Sequence, residues 1–302
     1  MRVIAADSMG VRSLATRIDA CGTVIGVDLG ASLAPRRYGL PPHPLEWEAL
    51  ERALERASRV LEEAEIVVVT HYHYDHYMRD RPELYKGKTL LVKDPRRDIN
   101  RSQRIRSHRF LVKSGLIEEA RVEPADGRVF EFGEVRIEFS KPVWHGEPGT
   151  KLGKVLMARI SCGGEQVVFA SDVQGPVDEE ALRTLMEWGR DGGLLILSGP
   201  PTYFAGFKVP VEAVEQGLRG LLRLAAESGY ESIIVDHHLA REIGFHDRIR
   251  VHREEAASRG AWLGTAAEYH GVEAKLLEAR RRELWRSHPL LRARAVRVTP
   301  RR

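Results

Sequence analysis

The sequence has few of the residues that mark disulfide-rich or membrane-spanning proteins. Its 302 residues include only two cysteines, Cys21 and Cys162, which lie far apart and form no Cys-x-x-Cys pair. We therefore expect neither a disulfide framework nor a cysteine zinc site, and we interpret both cysteines as small core residues. No stretch approaches the roughly 18 apolar residues of a membrane span, and the first residues lack the apolar segment of a secretory signal. The sequence therefore predicts a cytoplasmic globular protein that does not associate with membranes.

Amide side chains are also scarce. Asn100 is the only asparagine, and 30% of the residues are charged, a composition that resembles proteins from hot environments. The net charge is +4, and most of the positive charge is carried by arginine. An apolar fraction of 43% can furnish a large core, and the absence of repeats or low-complexity linkers favours a single domain over residues 1–302.

Short strands rich in valine and isoleucine alternate with amphipathic helices along the chain. We predict strands at 2–6, 14–19, 23–28, 66–70, 135–139, 155–161, 166–170, 194–197 and 232–235, and helices at about 45–64, 179–188 and 211–228. Gly163 and Gly164 are expected to form a hairpin turn. Strands and helices in both halves favour two packed sheets with helices outside, the first half antiparallel and the second mixed.

The most informative segment is Thr-His-Tyr-His-Tyr-Asp-His-Tyr at residues 70–77. It follows four β-branched residues, which suit a strand buried on both faces. His71, His73, Asp75 and His76 supply imidazole and carboxylate groups, the ligands that divalent metals such as zinc prefer. The two histidines of an extended His-x-His should project to one side, and a helix starting near Asp75 would direct the other two ligands into the same cavity. The alternative is a solvated histidine-rich loop, which the buried strand before it disfavours.

Three other apolar strands also end in side chains that bind metals. His145 follows Val-Trp, Asp172 follows the strand at 166–170, and His237 and His238 follow the strand at 232–235. Taken alone, a histidine at a strand end is usually a capping or solvated residue, and an aspartate there often caps a helix. Together they predict one site assembled from several strand ends.

This combination resembles the metallo-β-lactamase superfamily, whose members carry a His-x-His-x-Asp-His signature followed by a His, an Asp and a final His. The resemblance spans about residues 26–241, and Val-Asp-Leu-Gly at 27–30 is similar to the element that precedes the signature. It implies an α/β fold, the four-layered αβ/βα sandwich, in one domain with a basic helical insert at about 94–115 and a basic C-terminal segment at about 278–302. Residues 36–44, 171–176 and 198–203 are similar to an archaeal branch of these metal-dependent hydrolases, which narrows the family without indicating a substrate.

The resemblance also implies a set of metal ligands. His71, His73 and His145 would hold one divalent ion, Asp75, His76 and the last histidine would hold a second, and Asp172 would bridge them. Both ions are expected to be zinc, with manganese and iron as alternatives. Asp75 would also orient the attacking hydroxide, so Asp75 and Asp172 are the predicted catalytic residues. Asp28 and Asp236 are candidates for orienting the histidine rings, with turn or capping roles as the alternative.

The final ligand is ambiguous because two histidines are adjacent. Phosphodiesterase-like members carry a histidine followed four residues later by arginine, and His237 with Arg241 matches that spacing. We therefore predict His237 as the ligand and keep His238 as the alternative. If His237 is the ligand, His238 points elsewhere because neighbouring residues point apart, and it would then support a ligand from behind or contact substrate. Arg241 and Tyr203 are the other predicted substrate-binding residues.

Two basic segments bear on the choice of substrate. The first carries Arg96, Arg97, Arg101, Arg104, Arg106, His108, Arg109 and Lys113, and the second carries Arg280, Arg281, Arg282, Arg286, Arg292, Arg294, Arg297, Arg301 and Arg302. Clustered arginines suit phosphate groups and make nucleic acid a candidate partner, although each cluster is equally compatible with a solvated face.

Three functions are compatible with these features. The leading one is a dinuclear metal-dependent hydrolase of a phosphodiester or another phosphate-bearing substrate. A second is a glyoxalase-like hydrolase of small thioesters or lactones, in which basic residues would bind an acidic substrate. A third is a nucleic-acid-binding protein with a structural metal, which is disfavoured because structural zinc sites are usually closed by cysteine and histidine. The sequence leaves the oligomeric state open, a homodimer included.

Overall fold

Two mixed β-sheets lie at the centre of the computed structural model, which describes residues 1–288. The strands are β1 (Arg2–Ala6), β2 (Leu14–Ala20), β3 (Thr23–Val27), β4 (Ile66–Val69), β5 (Thr89–Val92), β6 (Arg121–Pro124), β7 (Val129–Phe132), β8 (Val135–Phe139), β9 (Val143–Trp144), β10 (Lys154–Val155), β11 (Ala158–Cys162), β12 (Glu165–Ala170), β13 (Leu194–Ser198), β14 (Ser232–Asp236) and β15 (Trp262–Gly264). The α-helices are α1 (Pro44–Glu63), α2 (Arg101–Ser107), α3 (Leu116–Glu119), α4 (Glu179–Trp188), α5 (Val211–Glu227), α6 (Phe245–Arg248), α7 (Arg250–Ser258), α8 (Ala266–Tyr269) and α9 (Arg281–Ser287).

The strand order places parallel strands in both sheets. The first sheet runs β1-β2-β3-β4-β5-β6, and the second runs β15-β14-β13-β12-β11-β8-β7. In the first sheet β1 to β3 pair antiparallel, but β3 to β6 pair parallel. The expectation that the first half is antiparallel is therefore only partly correct. Pairing between β3 and β4 is parallel because α1 crosses over between them, which the spacing of the two strands alone did not reveal.

Three apolar clusters give the layers of the sandwich. The middle cluster joins the inner faces of the two sheets, for example Val27 and Val68 with Phe169 and Ile196. The second packs α1 against the outer face of the first sheet, and the third packs α4, α5 and α7 against the outer face of the second sheet. The order is therefore helix, sheet, sheet, helix, the four-layered αβ/βα sandwich that the sequence predicted.

Helix α1 shows how local sequence sets these elements. His43 and Glu46 form a capping box at its start, where Pro44 occupies the first turn and needs no amide partner. Its buried face repeats alanine every fourth residue, at Ala49, Ala53 and Ala57, so the helix lies close against the sheet. The predicted helices at 179–188 and 211–228 also correspond closely to α4 and α5.

One predicted strand, 155–161, is divided in two. The chain leaves β10 at Val155 and re-enters a sheet only at Ala158. Between them, the amide of Leu156 donates to the carbonyl of Thr70, 3.1 Å away, so this segment bonds to the histidine-rich loop instead of extending the strand. The hairpin turn at Gly163 and Gly164 connects β11 and β12 as expected.

The interpretation of the two cysteines as core residues is wrong. Cys21 is exposed, Cys162 is half-buried, and they form a disulfide with a Cα to Cα distance of 6.1 Å. Each lies at a hairpin turn, one in each sheet, and the packing of the sheets brings the two turns together. The expectation that the chain has no disulfide is therefore also wrong, because the two cysteines are 141 residues apart and only the packing of the sheets brings them together.

Within residues 1–288 there is no helix with the length and apolar character needed to cross a membrane.

Candidate metal centre

Four strand ends meet at one edge of the sandwich. His71 follows β4, His145 follows β9, Asp172 lies two residues after β12, and His237 follows β14. Strands β12 and β14 are both parallel to β13, so their carboxyl ends face the same way and deliver their side chains to a common cavity. The structure thus brings together the side chains that follow these separate strand ends.

The first group of side chains surrounds one oxygen of Asp172. Its Oδ2 lies 3.0 Å from Nε2 of His71 and 2.9 Å from Nε2 of His145. Nδ1 of His73 is 4.0 Å from the same oxygen and 3.1 Å from Nε2 of His71. Three imidazoles and one carboxylate therefore lie close enough to share a single ion.

The second group adjoins the first. Nε2 of His76 lies 3.8 Å from Oδ1 of Asp75, and Nε2 of His237 lies 3.7 Å from Oδ2 of Asp75. Both histidines also face Asp172, His76 at 3.3 Å from Oδ2 and His237 at 3.2 Å from Oδ1. Asp172 consequently lies between the two groups.

Two buried atoms at this centre show that the donor set fits metal ions. Nε2 of His76 and Oδ1 of Asp172 are shielded from solvent and have no hydrogen-bond partner within the described residues. A buried polar atom without a partner is costly, whereas a ligand atom that faces an ion is satisfied. Imidazole nitrogens and carboxylate oxygens are a donor set that suits zinc and other transition metals.

Electrostatics at the centre differ between the two ligand groups, and in the first group they favour neutral His71 and His73 beside an ionised Asp172. Burial lowers the pKa of His73 to about 4 and lowers the pKa of His71 well below its ordinary value. Burial opposes ionisation of Asp172, but the nearby histidines, His145 first, outweigh it and hold the pKa of Asp172 well below its ordinary value. Neutral histidine and ionised aspartate are the forms that bind metals.

His76, like His237, differs from His71 and His73 in having a pKa above its ordinary value. Burial alone would lower its pKa, but Asp172, Asp75 and Asp28 outweigh burial and raise the pKa of His76 well above its ordinary value. Asp28, a predicted ring-orienting residue, contacts this ring: its Oδ2 lies 2.9 Å from Nδ1 of His76. Asp28 also accepts from the amide and hydroxyl of Thr70, which fixes the start of the histidine-rich loop.

The histidine-rich loop itself contains no helix. The sequence suggested a helix near Asp75, but residues 71–80 form turns, one of them closed by the amide of His76 donating to the carbonyl of His73. Tyr72 points away from the centre, as expected, and its hydroxyl donates to the carbonyl of Lys93 at 2.6 Å. A buried tyrosine anchor therefore holds the loop in place of a helix.

His237 and His238 occupy different positions. His237 lies with Asp75 and His76, whereas the ring of His238 lies 5.7 Å from that of His145, and its Nε2 is 3.8 Å from Asp172. Asp236 does not orient a ring: it accepts from the backbone amides of Ser8, His237 and Ala266. The proposed ring-orienting role of Asp236 is therefore wrong.

Asp7 is the residue at this centre that the sequence interpretation missed. Its Oδ2 lies 2.7 Å from Nδ1 of His237, and its Oδ1 accepts from Nε of Arg241 at 2.9 Å. A signal for it exists, because Asp7 directly follows the apolar strand β1, the same pattern that marked the other strand ends. The predicted substrate residues lie beside it: Arg241 is buried, and its Nη1 is 3.3 Å from the hydroxyl of the half-buried Tyr203.

The first basic segment forms α2 and the turns around it, next to the centre. Gln103 on the buried face of α2 accepts from the amide of Tyr72, which ties the helix to the histidine-rich loop. The exposed arginine and lysine side chains of this segment are Arg96, Arg97, Arg101, Arg104, Arg109 and Lys113. Nearby carboxylates form salt bridges with other lysines: Asp98 pairs with Lys154, and Glu119 pairs with Lys86.

The second basic segment is partly internal. Arg281 is fully buried and its Nε donates to Glu46 at 2.8 Å, so it does not face solvent. Arg280 pairs with Glu283 on the surface. Arg292, Arg294, Arg297, Arg301 and Arg302 lie outside the described residues.

Curated relatives match the chain along most of its length. It is 58% identical over 288 residues to a UPF0282 protein of Aeropyrum pernix, a match that covers 95% of this chain and 98% of the relative. It is 43% identical to a UPF0282 protein of Methanopyrus kandleri, with 92% of this chain and 96% of that relative covered. No family model matches the chain.

Solved structures are similar at the level of the fold. YhfI of Bacillus subtilis, described as a metallo-β-lactamase fold protein, is 17% identical with a TM-score of 0.48 over 84% of this chain and 88% of that chain. A mutant of the CmlA β-hydroxylase is 11% identical with a TM-score of 0.51, over 84% of this chain and 51% of that chain. The layer order described above agrees with the predicted fold.

Proposed function

This chain belongs to the UPF0282 protein family, and we propose that it is a dinuclear metal-dependent hydrolase of a phosphodiester or another phosphate-bearing substrate. One observation carries the proposal: two adjoining ligand groups from four strand ends share Asp172 between them. We assign His71, His73 and His145 to one ion, Asp75, His76 and His237 to the other, and Asp172 to both. Zinc suits this donor set, and manganese or iron are alternatives.

Two bound ions would lower the pKa of a water molecule and stabilise the charge that develops on the attacked group. We assign different roles to the two aspartates of the centre, Asp75 and Asp172. Asp75 has 17% of its side chain exposed, more than the 2% of Asp172, so it faces the opening of the centre. We assign Asp75 to orienting the attacking water and Asp172 to holding the two ligand groups together.

The basic face of α2 supports a phosphate-bearing substrate. Six exposed arginine and lysine side chains lie on α2 and on the segments directly before and after it, and Gln103 of α2 bonds to the histidine-rich loop, so this positive charge lies next to that loop. Positive charge near an active site attracts and holds phosphate groups. We extend the proposal to nucleic acid as a partner, with its phosphate backbone along this face.

Metal analysis and a substrate panel test this function. We expect two divalent ions per chain in protein prepared without chelator, and hydrolysis of bis-aryl phosphodiesters in preference to thioesters and lactones. Asp172→Ala should lower the rate by more than about 100-fold, the upper end of the loss caused by removing a partner outside the ligand set. Asp191→Ala is the matched control, because Asp191 pairs with Arg159 on the surface.

Three results would count against the proposal. Fewer than about one ion per chain would contradict a metal-dependent enzyme. Faster turnover of thioesters or lactones than of phosphodiesters would identify the alternative glyoxalase-like chemistry. Equal activity of the wild-type protein and Asp172→Ala would place the reaction outside this centre.

A further inference from the structure

The N-terminal turn brings a carboxylate to the last histidine of the centre. Asp7 follows β1 and is only 4% exposed, and its Oδ2 lies 2.7 Å from Nδ1 of His237, 230 residues along the chain. A carboxylate at that distance accepts a hydrogen from Nδ1, so the lone pair of Nε2 is left free on the opposite side of the ring. That side faces Asp75, whose Oδ2 is 3.7 Å from Nε2.

Arg241 holds the same ring from its face. Its Nη2 lies 3.2 Å from both Nδ1 and Nε2 of His237. A nitrogen equidistant from both atoms and lying in the ring plane would clash with the carbon between them, so Nη2 lies above the ring. Arg241 is also fixed at its other end, because Nε donates to Asp7 and its carbonyl accepts from Arg37 at 2.9 Å.

The turn that carries Asp7 is itself anchored to the strand that carries His237. Asp236 Oδ1 accepts from the amide of Ser8 at 3.0 Å and from the amide of His237 at 2.7 Å. The hydroxyl of Ser8 accepts in turn from the amide of Ala267. One carboxylate thus sets the distance between the backbone beside Asp7 and the backbone of His237.

We propose that Asp7 and Arg241 are positioning residues for His237: Asp7 selects the ring form with hydrogen on Nδ1, and Arg241 fixes the ring plane, so that Nε2 faces Asp75, together with which it would hold an ion. This inference rests on the proposed function, since it takes His237 as a metal ligand. Arg241 has its charge balanced by Asp7 and is 4% exposed, so it acts on the ring rather than as a free anchor for substrate phosphate.

Asp7→Asn tests the inference through zinc binding. The amide has the size of the carboxylate and its oxygen can still accept from Arg241, so the fold is retained. Its NH₂ group would then face Nδ1 of His237 and favour hydrogen on Nε2, which removes the ligand lone pair. We expect the affinity for one zinc ion to fall by about 10- to 100-fold while the other ion is held as in the wild-type protein, measured by competition with a chromophoric chelator.

Two further variants separate positioning from other roles. Ser8→Ala removes a buried hydrogen bond from the same turn without touching His237, so it should lower stability and leave zinc affinity unchanged. Arg241→Gln should weaken the same zinc ion as Asp7→Asn. A residue that only anchored substrate would instead raise KM and leave zinc affinity unchanged, and that result would overturn the role of Arg241.

The Asp7→Asn experiment tests the inference whether the wild-type protein binds one ion or two. Weaker binding of any one ion in Asp7→Asn, with Ser8→Ala unaffected, supports the inference. Unchanged affinity for every ion overturns it, even when the wild-type protein holds two ions and hydrolyses phosphodiesters. The proposed function is tested separately, by the number of ions bound to the wild-type protein and by its activity.

Discussion

Three residues of the centre share an uncommon backbone conformation. Asp28, Asp172 and His237 have φ values of 46°, 59° and 56°, in the left-handed region that side chains with a Cβ seldom adopt. Such residues cost of order 1–3 kcal/mol each and persist where the surrounding structure holds them. Each follows a buried strand, so the chain turns sharply there and presents its side chain to the cavity.

At this scale the sequence predicted side-chain identity better than side-chain partners. His71, His73 and Asp172 could be identified because each directly follows, or lies close to, an apolar strand. The bond from Asp7 to His237 could not be inferred, because it depends on how β1 and β14 approach across the sandwich. The prediction for Asp236 was wrong for the same reason. Its position at a strand end is typical of a site residue, but both of its carboxylate oxygens accept hydrogen bonds from backbone amides.

Glu278 provides a pH-dependent test at a distance from the centre. Burial raises its pKa, but the bonds to Arg12, at 2.6 and 2.7 Å, and the nearby Arg241 and Arg37 outweigh burial and lower the pKa of Glu278 to about 2. A depressed pKa stabilises the fold above the ordinary pKa of 4.5, and the stabilisation is lost as the pH falls from 4.5 towards 2. At most it is worth roughly 3 kcal/mol.

We therefore expect Glu278→Gln to lower the free energy of unfolding at neutral pH, with a difference from the wild-type protein that shrinks below pH 4.5. Denaturant unfolding between about pH 3 and pH 7 measures it. Glu283→Gln is the control, because Glu283 and its partner Arg280 are each 50% exposed and such pairs contribute little. A difference that stayed constant with pH would contradict the assignment.

Local sequence patterns predicted the helices and strands, but they did not predict which strands lie side by side in the sheets. Helices α4 and α5 and the strands with alternating or β-branched residues follow from periodicity within one segment. Which strands lie side by side depends on crossovers, so the parallel run from β3 to β6 was not foreseen. The break between β10 and β11 has the same origin, since it arises from a hydrogen bond to Thr70, far away in the chain.

Gly30 shows how closely the segment after β3 approaches the histidine-rich loop. A Cβ at this position would lie 2.2 Å from the backbone nitrogen of Tyr77 and 2.8 Å from the carbonyl carbon of His76. Backbone atoms cannot move aside as a flexible side chain can. Glycine is therefore required for the loop to reach the centre.

Gly30→Ala should lower the free energy of unfolding by about 1–3 kcal/mol and weaken zinc binding, because the loop that carries His76 must shift. Thermal unfolding and chelator competition measure the two effects. Gly244→Ala is the matched control, since no atom lies within 4 Å of its added Cβ, and its cost should stay below about 1 kcal/mol. Retention of both wild-type values in Gly30→Ala would show that the loop tolerates a larger separation.

At the scale of the whole molecule, the disulfide between Cys21 and Cys162 joins the two sheets. It lies at hairpin turns of β2–β3 and β11–β12, and both cysteines are accessible to solvent to some degree. A cross-link across 141 residues restricts the unfolded chain strongly, and the loop-entropy model gives roughly 4–5 kcal/mol of stabilisation. The sequence could not reveal this bond, because neither turn contains a cysteine motif.

Reduction of the wild-type protein should lower its Tm by roughly 5–10 °C, in line with that stabilisation for a chain of this size. Calorimetry with and without a dithiol reductant measures the shift. Cys162→Ser should have the lower Tm in both conditions and show no further change on reduction. A Tm of the wild-type protein that is insensitive to complete reduction would mean that packing alone holds the sheets together.

The same bond divides the candidate ligands of the centre into two covalent classes. His71, His73, Asp75, His76 and His145 lie on the closed ring between the two cysteines, and Asp172 and His237 lie on the chain that leaves it. A protease that cuts the ring once leaves every ligand in one covalent molecule until the disulfide is reduced. A cut after Cys162 and before Asp172 removes the covalent link between Asp172 and the ring, so under denaturing, non-reducing conditions oxidised protein should migrate as two fragments after such a cut and as one molecule after a cut within the ring.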